Sequence, residues 1–340
     1  MGGVKRPRID VLLPVRLARR TLPSAAGDAL AQHAADVRLI AVVDAGPDGR
    51  DDGSRDWLLG LARREARVLV LAGPGRGAGA ALDLALAAVE APLVAHMEAD
   101  DRSAPDRLAR LAAALQAEPE LAGLTCRAAQ FGARTPGMRR YLDWQNGLLT
   151  HEELARERFV EIPALHQTGL YRAEALRAVG GYAPRGPWPA DIDFWLRWFE
   201  HDALVAPLRV AKLPRVLYRW RQHARQSTRG GGGHAPDALR ACKAHYLARL
   251  IGRRGARPRP VRLLSTGATL QSWRVALGAA GVEVARADAW SPGRPVPRAP
   301  PSAVTVAAYG MPGVRAKLRA AFAARDGRAP DEPDELVVVA

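Results

Sequence analysis

The chain has 340 residues, 48% of them hydrophobic, so it can bury the core of one large domain and one small one. Its formal net charge is +15, but the basic residues are nearly all arginines scattered among alanines, which argues against a specific nucleic-acid role. The two cysteines have no metal-ligand spacing, and no apolar run reaches the roughly 18 residues needed to span a bilayer. We therefore expect a cytoplasmic protein that associates at most peripherally with an anionic membrane at its inner face.

The first hundred residues alternate short apolar strands with helices. This alternation predicts an α/β fold with a mixed, mostly parallel sheet and helices on both faces. Strands are predicted at 9–15, 37–43, 68–71 and from 93, and helices at 17–33, 56–65 and 80–90.

The order of elements changes after residue 121, and a small β/α pattern recurs at the end of the chain. Strands are predicted at 121–128 and 165–171, and helices at 136–159, 173–179, 191–199 and 236–251. We predict a first domain at 1–228, a Gly-rich linker with a connecting helix at 229–256, and a small α/β module at 257–340.

The buried strand that starts at Leu93 ends in three carboxylates, Glu98, Asp100 and Asp101. Open α/β sheets bind ligands at the carboxyl ends of their parallel strands. Hard oxygen ligands two residues apart suit Mg²⁺ or Mn²⁺ that also carries substrate phosphates. A structural alternative stays open, because acidic residues also precede helices and the next residues read as a helix start.

Further motifs follow in a fixed order along the chain. They are Pro14-Val15 at a strand end, Asp44 at the next, Asp51-Asp-Gly-Ser-Arg-Asp56, Arg76-Gly77 before a helix, Gly180-Gly-Tyr, Asp191-Ile-Asp193-Phe-Trp-Leu-Arg197, and Tyr218-Arg-Trp-Arg-Gln-His223. With the carboxylate-tipped strand, this series resembles the family 2 glycosyltransferases of the GT-A fold over residues 8–228. The resemblance implies a nucleotide-diphospho-sugar transferase fold and a reaction that inverts the anomeric centre.

The resemblance also assigns roles to individual residues. It implies a nucleotide-sugar donor, most simply a UDP-sugar, contacted by Pro14, Val15, Asp44, Arg76, Gly77 and Glu98. It implies Mn²⁺ or Mg²⁺ held by Asp100, Glu98 and His223, and Asp191 as the catalytic base. It places a glycan or lipid-linked acceptor near Tyr141, His166, Trp188, Asp193 and Arg197.

Several positions depart from the family pattern. Ala45 and Ala190 replace acidic residues, Glu98 stands in place of Asp, and Asp83 stands where Asn is usual. A catalytically impaired relative that acts as a binding or scaffold protein therefore stays open. A nucleotidyltransferase is disfavoured, because the Gly-rich, Lys-containing loop of that class is absent after the first strand.

Structural alternatives accompany the site assignments. Asp191 could serve only to start a helix, His223 could be a surface histidine, and Trp195 is better explained by packing. The C-terminal module, 257–340, resembles the small Rossmann-like appendage of some bacterial relatives in a degenerate form. Its Ser265-Thr-Gly-Ala-Thr-Leu270 keeps only Gly267 of the glycine-rich turn that binds a pyrophosphate. We therefore predict that the module does not bind a dinucleotide.

Overall fold

The computed structural model describes residues 6–45, 48–133, 135–223, 235–252, 259–296, 303–326 and 336–340. The chain forms two compact units that interleave along the sequence. The first comprises 1–154, 163–185 and 201–230, and the second 155–162, 186–200 and 231–340. The glycine run of the predicted linker, 230–233, lies outside the described residues, and the domain boundaries at 228 and 257 remain a prediction.

The first unit is organised around one eight-stranded mixed sheet. Its strands in chain order are β1 (Arg8–Val15), β2 (Asp36–Val43), β3 (Val68–Ala72), β4 (Leu93–His96), β5 (Arg102–Ser103), β6 (Leu121–Gly132), β7 (Leu170–Arg172) and β8 (Arg209–Gln222). Their order in the sheet is β3-β2-β1-β4-β7-β6-β8-β5. The pairs β3–β2, β2–β1, β1–β4 and β6–β8 are parallel, whereas β7 pairs antiparallel with β4 and β6, as β5 does with β8. The predicted mixed, mostly parallel sheet is confirmed.

Helices connect these strands. They are α1 (Leu22–Leu30), α2 (Ser54–Ala62), α3 (Ala78–Ala87), α4 (Arg107–Ala117), α5 (Pro136–Gly147), α6 (His151–Glu157), α7 (Ala173–Val179) and α8 (Ala190–Leu204). Alternate residues of β1, namely 9, 11, 13 and 15, share one core with the apolar faces of α1 and α4. Leu12 points the other way and is also fully buried, as expected of a strand covered on both faces.

The prediction of a single helix over 136–159 is wrong, because the structure has two helices there, α5 and α6. The break coincides with a capping box. The Thr150 hydroxyl accepts from the Glu153 amide at 3.2 Å, and the Glu153 carboxylate accepts from the Thr150 amide at 3.0 Å. This reciprocal pair satisfies amides at the start of α6 and so favours a new helix there. The first predicted helix also starts late, at Leu22, after Leu17 adopts a φ of 47°.

The second unit contains a smaller, fully parallel sheet. Its elements are α9 (Pro236–Gly252), β9 (Val261–Ser265), α10 (Gly267–Ala279), β10 (Val284–Ala289), β11 (Val304–Ala308), α11 (Pro312–Asp326) and β12 (Leu336–Val339). The strand order is β10-β9-β11-β12. The predicted small α/β module is confirmed, and its lack of dinucleotide binding stays a prediction. Across the described parts of both units, no helix is long and apolar enough to cross a membrane.

Candidate active site

The carboxyl ends of three adjacent parallel strands form one edge of the large sheet. β1 lies between β2 and β4, and its last residues, Pro14 and Val15, pair with Val42 and Val43. Asp44 directly follows β2, and its amide donates to the Val15 carbonyl at 2.8 Å. The acidic turn 98–101 directly follows β4. The predicted donor residues on these strands therefore share the edge at which open α/β sheets bind ligands.

Asp44 holds the loop that leads into α3. Its carboxylate accepts from the amide of Gly75 at 2.6 Å and from that of Gly77 at 2.7 Å. The loop passes so close that a Cβ on Gly73 would lie 2.8 Å from the Asp44 Cα, and Gly77 has a φ of 89°. Glycine is needed at both positions for these reasons. Arg76 is exposed on the same loop, and the nucleotide-binding roles of this group stay a prediction.

The turn after β4 concentrates negative charge. Burial, and then the neighbouring Glu98, raise the pKa of Asp100 above its ordinary value. Asp101 is 1% exposed, and burial followed by the charge of Asp100 raises its pKa as well. The Arg221 amide donates to the Asp101 carboxylate at 2.7 Å. Crowded, poorly solvated carboxylates of this kind favour a nearby cation.

The end of β8 brings an imidazole and a guanidinium to this turn. His223 Nε2 lies 3.0 Å from Asp100 Oδ2, so two predicted metal ligands from distant parts of the chain are in contact. Arg221 donates from Nε to the Asp100 carbonyl at 2.6 Å, and its guanidinium carbon lies 4.3 Å from the centroid of the Phe131 ring. The cation–π contact and the hydrogen bond hold this positive charge beside the acidic turn.

The side chains of Asp100 and His223 fit a divalent cation whose other ligands come from a bound substrate and from water. The carboxylate of Asp100 and the imidazole of His223 together suit Mn²⁺ better than Mg²⁺, which prefers oxygen ligands alone. In the part of the chain that the structure describes, no group of three or more His, Cys, Asp or Glu residues is arranged to hold a metal ion. The protein would therefore supply few ligands, and phosphate oxygens and water would supply the others.

In the second unit, α8 carries the predicted base and a buried polar cluster. Asp191 is half-buried in the first turn, and its carboxylate accepts from the Ile192 amide at 2.8 Å. Asp193 is fully buried and accepts from the Trp188 indole at 2.5 Å, the Tyr246 hydroxyl at 2.8 Å and Arg197 Nε at 2.7 Å. These contacts account structurally for Trp188, Asp193 and Arg197, and their acceptor roles stay a prediction.

The other two predicted acceptor residues lie in the first unit. Tyr141 on α5 packs near Trp144 and Trp220, with ring centroids 6.1 and 6.5 Å away, and its hydroxyl accepts from Gln145 at 2.8 Å. His166 is half-buried, and its Nδ1 lies 2.9 Å from Nδ1 of His96. Tyr141 is thus engaged in packing, and His166 contacts His96, the last residue of β4.

Two residues that contact the acidic turn were not predicted from the sequence. They are His96, which lies next to Glu98, and Arg221, which donates to the Asp100 carbonyl. His96 is a polar residue at the end of an apolar strand, two positions before the first carboxylate, and that position alone could have drawn attention to it. Arg221 lies in the string that ends with His223, but nothing in the sequence indicates that it packs on Phe131. This contact depends on the parallel pairing of β6 with β8.

A match to a family profile shows which family the chain belongs to. The profile described as glycosyl transferase family 2 matches residues 10–180, half of the chain. The chain belongs to this family and is a glycosyltransferase. The match includes Asp44, Glu98 and Asp100 but ends before Asp191 and His223, so the roles of those two depend on motif resemblance.

Solved structures confirm the GT-A fold of this glycosyltransferase. S. aureus TarS 1–349 in complex with UDP-GlcNAc matches at a TM-score of 0.57 and 15% identity, with 80% of each chain covered. TarS 1–349 in another crystal structure matches at 0.51 and 15% identity, over 73% of this chain and 71% of that one. A longer TarS structure matches at 0.51 and 14% identity, over 73% of this chain and 43% of that one. No curated protein matches the sequence significantly.

Proposed function

We propose that this family 2 glycosyltransferase is inverting and metal-dependent, and that it takes its sugar from a nucleotide-sugar, most simply a UDP-sugar. The observation that carries the proposal is the acidic turn after β4, which shares the carboxyl edge of the sheet with the end of β1 and with Asp44. A similar fold in TarS has been solved with UDP-GlcNAc, which supports this donor class.

Asp100 and His223 would hold the cation, with Glu98 beside the ribose or the metal. When bound, a divalent cation neutralises the charge that develops on the departing diphosphate. Arg221 adds a fixed positive charge beside the same turn, because its side chain is held by the Asp100 carbonyl and the Phe131 ring. Asp44, which follows β2, and the loop 73–77 would orient the nucleotide.

Asp191 would act as the general base. An inverting transfer needs one group that accepts the proton of the acceptor hydroxyl as the new bond forms. Asp191 is the residue that matches the family motif, and its half-buried position in the first turn of α8 leaves part of its surface accessible. The acceptor would be a glycan or a lipid-linked hydroxyl in glycan or glycolipid assembly, with the net charge of +15 favouring anionic membrane lipids.

Thermal unfolding of the full chain with a panel of nucleotide-sugars, with and without Mn²⁺, tests the donor class. A ligand present at about one hundred times its dissociation constant adds roughly 2.7 kcal/mol to the free energy of unfolding. We expect a UDP-sugar to stabilise the protein only when Mn²⁺ is present. Proton NMR of the product would then establish whether the anomeric configuration is inverted. Stabilisation that is independent of both the nucleotide and the metal would contradict the proposal.

One observation favours the alternative of a binding or scaffold protein without turnover. Ala190 replaces the acidic residue that the family pattern has directly before the proposed base, Asp191. Donor hydrolysis measured beside donor binding separates the two functions, since a binding protein would retain the nucleotide-sugar intact.

A further inference from the structure

Two histidines lie side by side, and one of them, His96, also lies next to Glu98 of the acidic turn. His96 is the last residue of β4 and is fully buried, and His166 belongs to a 3-10 turn at 166–168. Their Nδ1 atoms are 2.9 Å apart, and the rings are nearly parallel, at 12° with centroids 4.8 Å apart. At this distance one Nδ1 donates a hydrogen bond and the other accepts it, so the tautomers of the two rings are coupled.

The other ring nitrogen of His96 faces Glu98. His96 Nε2 lies 3.1 Å from Glu98 Oε1, within ion-pair distance, yet among the described residues it has no partner that is aligned for a hydrogen bond. The Glu98 backbone is fixed separately, because its amide donates to the Tyr218 hydroxyl at 3.2 Å. A buried imidazole nitrogen needs a hydrogen-bond partner, and the Glu98 carboxylate, 3.1 Å from His96 Nε2, can accept from it.

The chemistry of the group selects one arrangement of its hydrogens. The fully buried His96 ring has Glu98 on its Nε2 side and His166 on its Nδ1 side. A carboxylate only accepts, which favours a hydrogen on Nε2. Nδ1 of His96 then accepts, and Nδ1 of His166 donates. Arg107 also donates to the Gln167 carbonyl at 2.8 Å, which fixes the 3-10 turn that carries His166.

We propose that His96, held in one tautomer by His166, is a positioning residue that directs the Glu98 carboxylate toward the bound donor. The inference rests on the proposed function, since it assigns Glu98 to the nucleotide-sugar. It also accounts for a departure from the family pattern. The Glu98 arm is one methylene longer than the usual Asp, which lets its carboxylate reach the imidazole. His166 thereby supports the donor site, whereas the sequence assigned it to the acceptor.

A double-mutant cycle on the full chain tests this coupling, with UDP and Mn²⁺ as the probe and calorimetry as the measurement. We expect His96→Leu and Glu98→Asp each to weaken UDP binding about tenfold. The double variant should bind no more weakly than Glu98→Asp alone, because the shorter arm no longer reaches His96. Effects that multiply to about one hundredfold would overturn the inference.

A spectroscopic measurement keeps the test independent of turnover and of UDP. In protein labelled with ¹⁵N-histidine, the resonances that His96→Leu removes should report hydrogen on Nε2 and an Nδ1 that accepts. The opposite tautomer would overturn the inference even if UDP does not bind. If Glu98→Asp leaves UDP affinity unchanged while the tautomer is as expected, the donor assignment of Glu98 fails instead.

Two further variants control for folding. If His96→Leu does not fold, His166→Leu serves in its place: it removes the donor from the half-buried end of the pair, and we expect it to weaken UDP binding several-fold. His151→Leu is the matched control. His151 is also buried and lies 3.1 Å from a carboxylate, that of Asp202, but it belongs to the start of α6. This control should leave UDP affinity unchanged.

Discussion

His223 Nε2 lies 3.0 Å from Asp100 Oδ2, and the two residues follow the ends of β8 and β4. Neither strand neighbours the other, since β7 and β6 lie between them in the sheet. The contact therefore depends on the path of the residues that follow each strand, since these residues meet at the carboxyl edge of the sheet. It joins an oxygen ligand to a nitrogen ligand at the point where burial and Glu98 make Asp100 harder to ionise.

This pair should make nucleotide binding depend on the metal. We predict that Asp100→Ala abolishes the Mn²⁺-dependent part of UDP binding, measured by calorimetry with and without Mn²⁺, because the only ligand with a formal charge in the pair is lost. Asp106→Ala is the matched control, since Asp106 pairs with Arg110 in the first turn of α4. Metal-dependent binding that survives in Asp100→Ala would remove Asp100 from the site.

The glycine turn after α7 leads to a second prediction. Asp83 accepts from the amides of Tyr182 at 2.5 Å and Ala183 at 3.2 Å, one with each oxygen. Asn, which the family usually has here, offers one oxygen and turns an amide donor toward the other N–H. We predict that Asp83→Asn lowers the free energy of unfolding by about 1–3 kcal/mol, measured by urea denaturation. A variant as stable as the parent would show that the turn adapts to either side chain.

A buried lysine should make stability depend on pH. Lys212 is 4% exposed and donates to the carbonyls of Gln145 and Pro163, and burial lowers its pKa to about 7. In the unfolded chain its pKa is near 10.4. Between these values the unfolded state binds more protons, so this group makes stability rise with pH, by at most about 1.4 kcal/mol per unit.

The comparison of Lys212→Met with the parent isolates this contribution. We predict that the free energy of unfolding of the parent gains on that of Lys212→Met as the pH increases from 7 to 10, because the variant lacks the titrating amine. Lys317→Met on the exposed face of α11 is the matched control and should show no such trend. A difference between parent and Lys212→Met that stays constant over this range would show that the amine titrates normally.

Much of the fold could be predicted because its signals are local. β1, β2 and β3 follow from apolar runs, and α7 follows from helical spacing ended by Gly180 at a φ of 84°. The prediction of a single helix over 136–159 is wrong because the apolar spacing continues across the capping box at Thr150 and Glu153. There, two local hydrogen bonds outweigh a periodic pattern.

The candidate site was only partly predictable. Asp44 and Asp100 follow strand ends, so their place at the carboxyl edge is a consequence of parallel pairing. The partners of these carboxylates come from elements far away in sequence, such as His166 beside His96 and Arg221 beside Phe131. Such pairs depend on sheet order and register, which one sequence does not specify.

Asp191 allows the sharpest separation of structure from catalysis. Its carboxylate lies in the first turn of α8 and accepts from the Ile192 amide, and a negative charge there stabilises a helix by about 0.3–1 kcal/mol. A general base contributes roughly 10²–10⁴ in rate. We predict that Asp191→Asn keeps UDP and Mn²⁺ affinity, loses less than about 1 kcal/mol of stability, and transfers sugar at least about one hundredfold more slowly.

A matched substitution in the same unit completes this test. Asp237 lies in the first turn of α9, with a largely exposed side chain paired to Arg240. Asp237→Asn should reproduce the small stability change, for the same helix-dipole reason, without any change in the transfer rate. Single-turnover transfer measured beside thermal unfolding distinguishes the two effects. If Asp191→Asn transfers sugar near the parental rate, Asp191 only stabilises its helix, and another group takes the proton.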